Sequence, residues 1–265
     1  MSKLTVDYIS DMHLSFYLQA TSNGYDVKQM ESFIAKNIAP KVQGEVLVIA
    51  GDLTEFTRSG FKFLELCSKY YSKVFFVAGN HEYYLSSIFF SGMKKEYGSE
   101  SLDKIYELCE LCNATDKIVM LDRLNENNGI YEYKGFKIAG DTLWYIPTTF
   151  RSWWFYYISS NDSRFIKSML SRKQKIINLH ETSMDWYESL PDDIDLMITH
   201  VPPIKSRMSS CYYVDVDDFK APVWIYGHDH IAKDETIGNT HFVSNPWGYE
   251  SKDFAVKTLT LKKGH

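Results

Sequence analysis

The chain has 265 residues, of which 45% are hydrophobic and 15% are aromatic, and its formal net charge is −5 at pH 7. This length and composition are those of a folded protein with a sizeable hydrophobic core. The negative charge is unfavourable for tight nonspecific binding to nucleic acid, which requires Lys and Arg to neutralise phosphates.

The apolar runs of the chain are only as long as strands, so we expect no segment that spans a membrane. Lys3, Asp7 and Asp11 interrupt the N-terminal apolar pattern and leave no room for the apolar region of a signal peptide. The cysteines number 4, which is too few for a disulfide framework. We therefore expect an intracellular, cytoplasmic protein.

The first third of the chain alternates strand and helix patterns. Apolar runs predict strands at 4–9, 46–50 and 74–78. The segments between them have the apolar spacing of helices, at 27–40 and 59–71. Crossovers of helical length between successive strands predict a parallel sheet with right-handed connections.

The rest of the chain predicts a second set of strands. A helix near 101–112 precedes a strand at 117–121, and the pattern over 130–140 alternates around Lys134-Gly135 like a hairpin. A long helix is predicted at 163–190, and further strands are predicted at 195–199, 222–226, 240–243 and 254–261. Because no low-complexity linker or repeat divides the chain, we expect a single domain over 1–265, in which two sheets pack face to face with helices outside.

Cys109 and Cys112 form a CxxC pattern inside the helix predicted near 101–112. A structural zinc site of this type takes a second pair of ligands, and the sequence has no second CxxC. We therefore interpret the two thiols as part of a packed helix face.

Polar residues follow five of the predicted strands, where a packed core does not need them. These residues are Asp11 and His13, Asp52, Asn80 and His81, His200, and His228 and His230. Glycines at 51, 79 and 227 stand beside them and allow the backbone to turn sharply. Because open α/β sheets bind ligands outside the carboxyl ends of their strands, we expect these residues to form one site.

The residue types at these strand ends predict metal binding. Carboxylates, imidazoles and one amide oxygen suit Mn, Fe or Zn better than Ca or Mg, which prefer sites made of oxygen ligands alone. The candidate ligands are too many for one ion but serve two divalent ions if one carboxylate is shared. Two ions about 3.5–4 Å apart activate a bridging water and stabilise the displacement at phosphorus.

The order of these motifs resembles the signature of the calcineurin-like metallophosphoesterases, and the stretches at 139–145, 161–166 and 244–249 look like those of small bacterial and phage-type phosphohydrolases of this family. The chain has DMH at 11–13, GDL at 51–53, GNHE at 79–82, TH at 199–200 and GHDH at 227–230. The resemblance implies an α/β fold, a four-layer α-β-β-α sandwich of two mixed β-sheets flanked by helices. It also implies a metal-dependent phosphoric ester hydrolase in which a metal-bridging hydroxide attacks phosphorus.

The resemblance further implies two sets of metal ligands that share Asp52, which would be a catalytic residue together with His81. One divalent ion would be held by Asp11, His13, Asp52 and His230. The other would be held by Asp52, Asn80, His200 and His228. The ions would be Mn²⁺, Fe²⁺ or Fe³⁺, or Zn²⁺.

Three further residues of the motifs receive other roles from the resemblance. His81 would protonate the leaving alkoxide or steady the phosphate, and Asn80 lies beside it at the substrate. We expect Glu82 to orient its neighbours. Asp229 stands where the family often has a small or neutral residue, and we expect it to be hydrogen-bonded outside the metal ligands or to raise the affinity for the ions.

Residues 149–162 are too aromatic for an ordinary solvated loop. They form either a cap beside the site, over 144–162, or a contact in a homodimer, and the sequence favours neither. An aromatic cap beside two metal ions could stack a base, and Trp144 could face the substrate cleft.

The leading functional hypothesis is a phosphodiesterase that acts on a nucleotide or a cyclic nucleotide. A phosphomonoesterase or protein phosphatase is the first alternative. A DNA nuclease is the second, although such nucleases usually carry additional DNA-binding regions. A non-catalytic scaffold of the same fold is disfavoured because all candidate ligands and His81 are present.

Overall fold

The computed structural model describes residues 2–21, 24–85, 100–207 and 209–263. The helices of this part are α1 (Val27–Asn37), α2 (Thr57–Cys67), α3 (Leu102–Asn113), α4 (Phe150–Ile158), α5 (Asn161–Phe165) and α6 (Arg172–Ser189). Short 3₁₀ turns occur at Leu14–Phe16, Ala39–Lys41 and His81–Tyr83. None of the helices described here has the length and apolar character needed to cross a membrane.

The strands begin with β1 (Ser2–Ile9), β2 (Ala20–Thr21), β3 (Gly24–Tyr25), β4 (Val46–Ala50), β5 (Lys73–Val77) and β6 (Ile118–Met120). They continue with β7 (Ile130–Tyr133), β8 (Phe136–Asp141), β9 (Leu196–Thr199), β10 (Val223–Tyr226), β11 (Lys233–Ile237), β12 (Thr240–Ser244) and β13 (Lys257–Lys263). β2 and β3 pair with each other, and all the others belong to two larger sheets.

Both large sheets are mixed. The first has the order β13-β1-β4-β5-β6, and its strands are parallel except for β13, which is antiparallel to β1. The second has the order β11-β12-β10-β9-β8-β7, with parallel strands in the middle and an antiparallel strand at each edge. The predicted hairpin around Lys134-Gly135 is confirmed as β7 and β8.

Alternation along the central strands produces the layers. In β4, Val46 and Val48 pack in a core shared by the two sheets, whereas Leu47 and Ile49 pack in a second core that includes helix residues. In β9, Ile198 faces the shared core and Met197 faces the other side. The predicted four-layer α-β-β-α sandwich is therefore confirmed.

Several elements differ from the sequence patterns, and α4, β2 and β3 have no predicted counterpart. The helix predicted over 163–190 is divided into α5 and α6, because Ser171 starts a new helix by accepting a hydrogen bond from the Gln174 N–H. β11 (Lys233–Ile237) has no predicted counterpart, since its residues are largely polar and partly exposed. It is an edge strand, and edge strands commonly carry such residues.

Cys109 and Cys112 are buried in α3, and Cys109 Sγ lies 3.7 Å from Met120 Sδ. Burial raises the pKa of the Cys112 thiol to about 12, so it stays protonated. A metal binds the thiolate, and neither cysteine belongs to a group of metal donors in the described part of the chain. This supports their interpretation as packed thiols.

Candidate active site

The structure brings the predicted site residues together at the ends of five strands. Asp11 and His13 follow β1, Asp52 follows β4, Asn80 and His81 follow β5, His200 follows β9, and His228 and His230 follow β10. Donor atoms of these residues form three overlapping groups, in each of which all atoms lie within 4.8 Å of one another. The loops that follow the two sheets therefore build one site.

The first set of donors is formed by Asp11, His13, Asp52 and His230. His13 Nε2 lies 3.0 Å from His230 Nε2 and 3.7 Å from Asp52 Oδ2. His230 Nε2 lies 3.5 Å from Asp11 Oδ1. Ligand atoms of one ion are roughly 3–3.5 Å apart when the bonds are near 2.1 Å. Asp11 Oδ2 is buried and has no hydrogen-bond partner among the described residues, as expected for an oxygen that faces a cation.

The second set of donors is formed by Asp52, Asn80, His200 and His228. Asn80 Oδ1 lies 3.0 Å from both His200 Nε2 and His228 Nδ1. The other ring nitrogens face backbone carbonyls, with His200 Nδ1 2.9 Å from Ala50 O and His228 Nε2 3.1 Å from Cys211 O. Because a carbonyl only accepts, each of these nitrogens carries a ring proton, so the other nitrogen of each ring is the one that can bind a metal.

Asp52 lies between the two sets. Its Oδ2 faces His13 at 3.7 Å and its Oδ1 faces His200 Nε2 at 3.4 Å. Burial alone would raise the pKa of Asp52, but His200 and His81 lower it well below its usual value. Burial alone would lower the pKa of His200, but Asp52 raises it to about 10. The buried carboxylate thus attracts positive charge, and the donor set fits two divalent cations.

The backbone of the site is strained. Several candidate ligands adopt left-handed conformations, with φ values of 50° at Asp11, 43° at His13, 54° at Asp52, 71° at His228 and 57° at His230. Such conformations cost of order 1–3 kcal/mol each in residues other than glycine, and they concentrate at functional sites. The surrounding hydrogen bonds must offset this cost.

Two glycines allow the ligands to approach one another. A Cβ on Gly51 would lie 2.3 Å from His200 Nδ1, and a Cβ on Gly79 would lie 2.2 Å from Asp52 Oδ1. Gly51 also has a φ of 80°. Any side chain at either position would displace a candidate ligand.

Glu82 is buried behind the ligands and binds backbone N–H groups. Its carboxylate accepts hydrogen bonds from the N–H groups of Asp52, Leu53, Thr54 and Gly79 at 2.6–3.0 Å. This position agrees with the orienting role expected for Glu82.

Sequence reasoning missed Glu55, which is buried and hydrogen-bonded to His81. Glu55 Oε1 lies 2.9 Å from His81 Nδ1, and the Glu55 side chain is 2% exposed. His81 Nε2 lies 3.9 Å from Asp52 Oδ2. The position of Glu55 three residues after Asp52, on the same loop, is the signal that could have identified it.

Asp229 lies outside the donor groups. Its side chain is buried, Oδ1 accepts a hydrogen bond from the Ile231 N–H at 2.9 Å, and its carbonyl accepts one from Arg207. Burial raises the pKa of this carboxyl group. Asp229 does line the cleft beside His228 and His230.

The expectation for Trp144 is wrong. Its side chain is fully buried, and its ring packs edge-on against Tyr83 at a centroid distance of 4.9 Å. The next residue, Tyr145, lines the cleft instead. Side chains alternate in direction along extended backbone, so placing one of these two rings in the core directs the other toward the site.

The cleft over the donor sets has aromatic walls. They are formed by Tyr84, Tyr145, Phe155, Tyr212 and Tyr249. Phe155 comes from α4, and Asp162 of α5, which no motif includes, also reaches the cleft. Trp154 of α4 is 58% exposed and does not line the cleft. The segment 144–162 therefore borders the site, whereas a homodimer contact through it stays a prediction.

Residues 4–232 match the family model of the calcineurin-like phosphoesterases. The chain is 26% identical over 278 residues to "Uncharacterized protein L509" of Acanthamoeba polyphaga mimivirus, and the match covers 91% of this chain and 90% of that protein. The fold of this chain is similar to that of phosphopantetheinyl hydrolase (PptH) from Mycobacterium tuberculosis, with a TM-score of 0.65 and 18% identity. The match covers 92% of this chain and 89% of that chain. The family typically uses two divalent metal ions, in agreement with the two donor sets. Because the family match spans most of the chain, the protein belongs to the calcineurin-like phosphoesterase family and is a metal-dependent phosphoric ester hydrolase.

Proposed function

We propose that the protein is a phosphodiesterase that acts on a nucleotide or a cyclic nucleotide. The observation that carries the proposal is that Asp52, with one oxygen toward each donor set, lies at the base of a cleft with aromatic walls. The donor sets account for the hydrolysis of a phosphate ester, and the aromatic walls account for a substrate with a flat ring.

In this proposal the two donor sets hold one divalent ion each and share Asp52. One ion is held by Asp11, His13, Asp52 and His230, and the other by Asp52, Asn80, His200 and His228. When bound, two such ions supply an activated water and neutralise charge on the phosphate. The mixture of imidazole, carboxylate and amide donors suits Mn, Fe or Zn.

We assign to His81 the role of proton donor to the leaving oxygen. Burial alone would lower the pKa of His81, but Asp52 and Glu55 raise it to about 9, so the ring is protonated at neutral pH. Divalent cations bound at Asp52 weaken the effect of this carboxylate on the pKa of His81. Glu55 lies outside the donor sets and still stabilises the charged ring through its bond to Nδ1.

The cleft has the size and surface of a small-molecule site. Its volume is about 270 Å³, close to the lower end of the roughly 300–1,000 Å³ of typical ligand pockets. Stacking of a base on an aromatic side chain contributes about 1–3 kcal/mol. The Arg207 guanidinium lies 5.7 Å from the centre of the Tyr212 ring at the cleft and adds positive charge that attracts a phosphate.

A hydrolysis panel with Mn²⁺ tests the substrate class. We expect nucleotide diesters, cyclic or linear, to have the highest kcat/KM, because they use both the metal site and the aromatic walls. Bis-p-nitrophenyl phosphate, p-nitrophenyl phosphate, a phosphopeptide and single-stranded DNA are the comparisons. Preference for a phosphomonoester or the phosphopeptide would favour a phosphatase, and preference for DNA would favour a nuclease.

Metal analysis tests the two donor sets. We expect close to two equivalents of Mn, Fe or Zn per chain after mild purification, measured by elemental analysis. Asp52→Asn should weaken both sites because they share that carboxylate, whereas His13→Ala should mainly empty the first. One equivalent that does not increase on addition of Mn²⁺ would contradict the two-ion site.

Phe155 and Trp154 are neighbours on α4. Phe155 lines the cleft, whereas Trp154 lies on the exposed face of the helix. We expect Phe155→Ala to raise KM for a nucleotide substrate by roughly tenfold, in line with the loss of one stacking partner. It should change KM little for a small generic ester. Trp154→Ala is the matched control and should leave both values unchanged.

Light scattering on the same two variants tests the homodimer alternative. A change of mass with Trp154→Ala would show that the exposed face of α4 is a subunit contact.

In the kinetic comparison, an unchanged KM for the nucleotide substrate in Phe155→Ala would rule out the proposed wall.

The leaving group tests the role of His81. We expect His81→Ala to retain both metals and to reduce hydrolysis of an alkyl ester by roughly 10²–10⁴-fold, because an alkoxide leaves poorly without a proton. Hydrolysis of a nitrophenyl ester should fall much less, since nitrophenolate leaves well unaided. Equal losses on both esters would indicate that His81 binds phosphate, and loss of a metal would indicate a ligand.

A further inference from the structure

Asp162 is a buried carboxylate beside the second donor set, and its side chain is bonded to three hydrogen-bond donors. The residue is 4% exposed. Its Oδ1 accepts hydrogen bonds from Asn80 Nδ2 at 2.8 Å and from the Tyr84 hydroxyl at 2.6 Å. Its Oδ2 accepts one from the Tyr145 hydroxyl at 2.5 Å. A carboxylate at this place thus contacts a candidate metal ligand directly.

The amide of Asn80 has a donor end and an acceptor end of nearly the same shape, so its neighbours decide which end faces the metal site. The Asp162 carboxyl group accepts at its Oδ1, so Asn80 turns its Nδ2 toward Asp162. The same orientation directs Asn80 Oδ1 at His200 Nε2 and His228 Nδ1, 3.0 Å from each. We propose that Asp162 is a positioning residue that makes Asn80 present its oxygen, and not its nitrogen, to the second ion.

This inference rests on the proposed role of Asn80 as a metal ligand. Tyr145 extends the support to a second ligand, because its ring stacks on the His228 ring at a centroid distance of 5.9 Å and an angle of 22°. Among the described residues, Asp162 is therefore hydrogen-bonded to Asn80 itself and to Tyr145, whose ring stacks on His228. Both belong to the second donor set, so loss of Asp162 should affect the two sites unequally.

The position of Asp162 is fixed by the ends of α5. The Ser160 hydroxyl accepts a hydrogen bond from the Asp162 N–H at 3.2 Å and caps the helix. The buried Lys175 ammonium donates to the Ile166 carbonyl at 2.6 Å and lies 3.4 Å from the Asp162 carbonyl. A short helix held at both ends keeps the carboxylate at a constant place relative to Asn80.

Asp162→Asn tests the proposal, because it keeps the shape and introduces a group that can donate. Asn80 can then turn its oxygen away from the metal site. We expect the affinity for Mn²⁺ at one of the two sites to fall roughly 10–100-fold, the usual effect of losing such a supporting contact, while the other site is unchanged. Isothermal titration of the metal-free, full-length protein with Mn²⁺ measures both sites independently of turnover.

Asp122→Asn is the matched control. Asp122 is fully buried, carries the same functional group and does not line the cleft. The same chemical change at this position should leave both Mn²⁺ affinities at the wild-type value.

Adding Asn80→Asp to Asp162→Asn tests the orientation itself. A carboxylate offers an oxygen whichever way it turns, and the amide at position 162 can donate to it. We expect this double variant to regain most of the lost affinity. Asn80→Asp alone places two carboxylates in contact and should bind Mn²⁺ more weakly than the double variant. If Asp162→Asn alone does not fold, the comparison of the double variant with Asn80→Asp tests the proposal.

The outcomes separate the two proposals. A wild-type protein that binds a single Mn²⁺ would overturn the two-ion site and, with it, the premise about Asn80. A wild-type protein that binds two, with unchanged affinities in Asp162→Asn, would overturn only the role of Asp162. A double variant that binds no better than Asn80→Asp would overturn the orientation role as well.

Discussion

The site depends on the bonds between one buried carboxylate, that of Glu82, and the backbone of two strand ends. The N–H groups of Asp52, Leu53 and Thr54 after β4, and of Gly79 after β5, all point at its oxygens. An unpaired buried N–H costs about 1–3 kcal/mol, so Glu82 removes a substantial penalty from both loops. Burial and the charge of Asp52 raise the pKa of Glu82 to about 7. These bonds keep the loops that carry Asp52, Asn80 and His81 at a constant distance from each other.

The candidate ligands could be brought together from the sequence because their placement follows from strand geometry. A buried parallel strand reads as an apolar run, and the first polar residue after it marks the edge of the sheet. Asp52 after Val46–Ala50 and Asn80 after Lys73–Val77 are read in this way. The two-sheet architecture was predictable for the same reason, since the apolar runs and the hairpin around Lys134-Gly135 are strong signals.

The supporting groups could not be predicted, because tertiary contacts and not local patterns select them. Glu55 looks like an ordinary acidic loop residue until its bond to His81 is seen. Asp162 lies 82 positions from Asn80 in the chain, in a segment whose two helices begin at the caps Thr149 and Ser160 and show no clear apolar period. Trp144 and Tyr145 illustrate the same limit, since the sequence does not show which of two adjacent rings faces the core.

The segment that contains α4 and α5 serves the site in two different ways. Phe155 of α4 forms part of the cleft wall, and Asp162 of α5 bonds to Asn80. Only the residues 159–160 separate the two helices, so a displacement of α4 acts on α5 as well. A change in the wall that accommodates a different substrate would therefore also move the carboxylate that orients Asn80. In the site as proposed, substitutions in α4 therefore have to preserve the position of Asp162 if Asn80 is to keep its oxygen toward the second donor set.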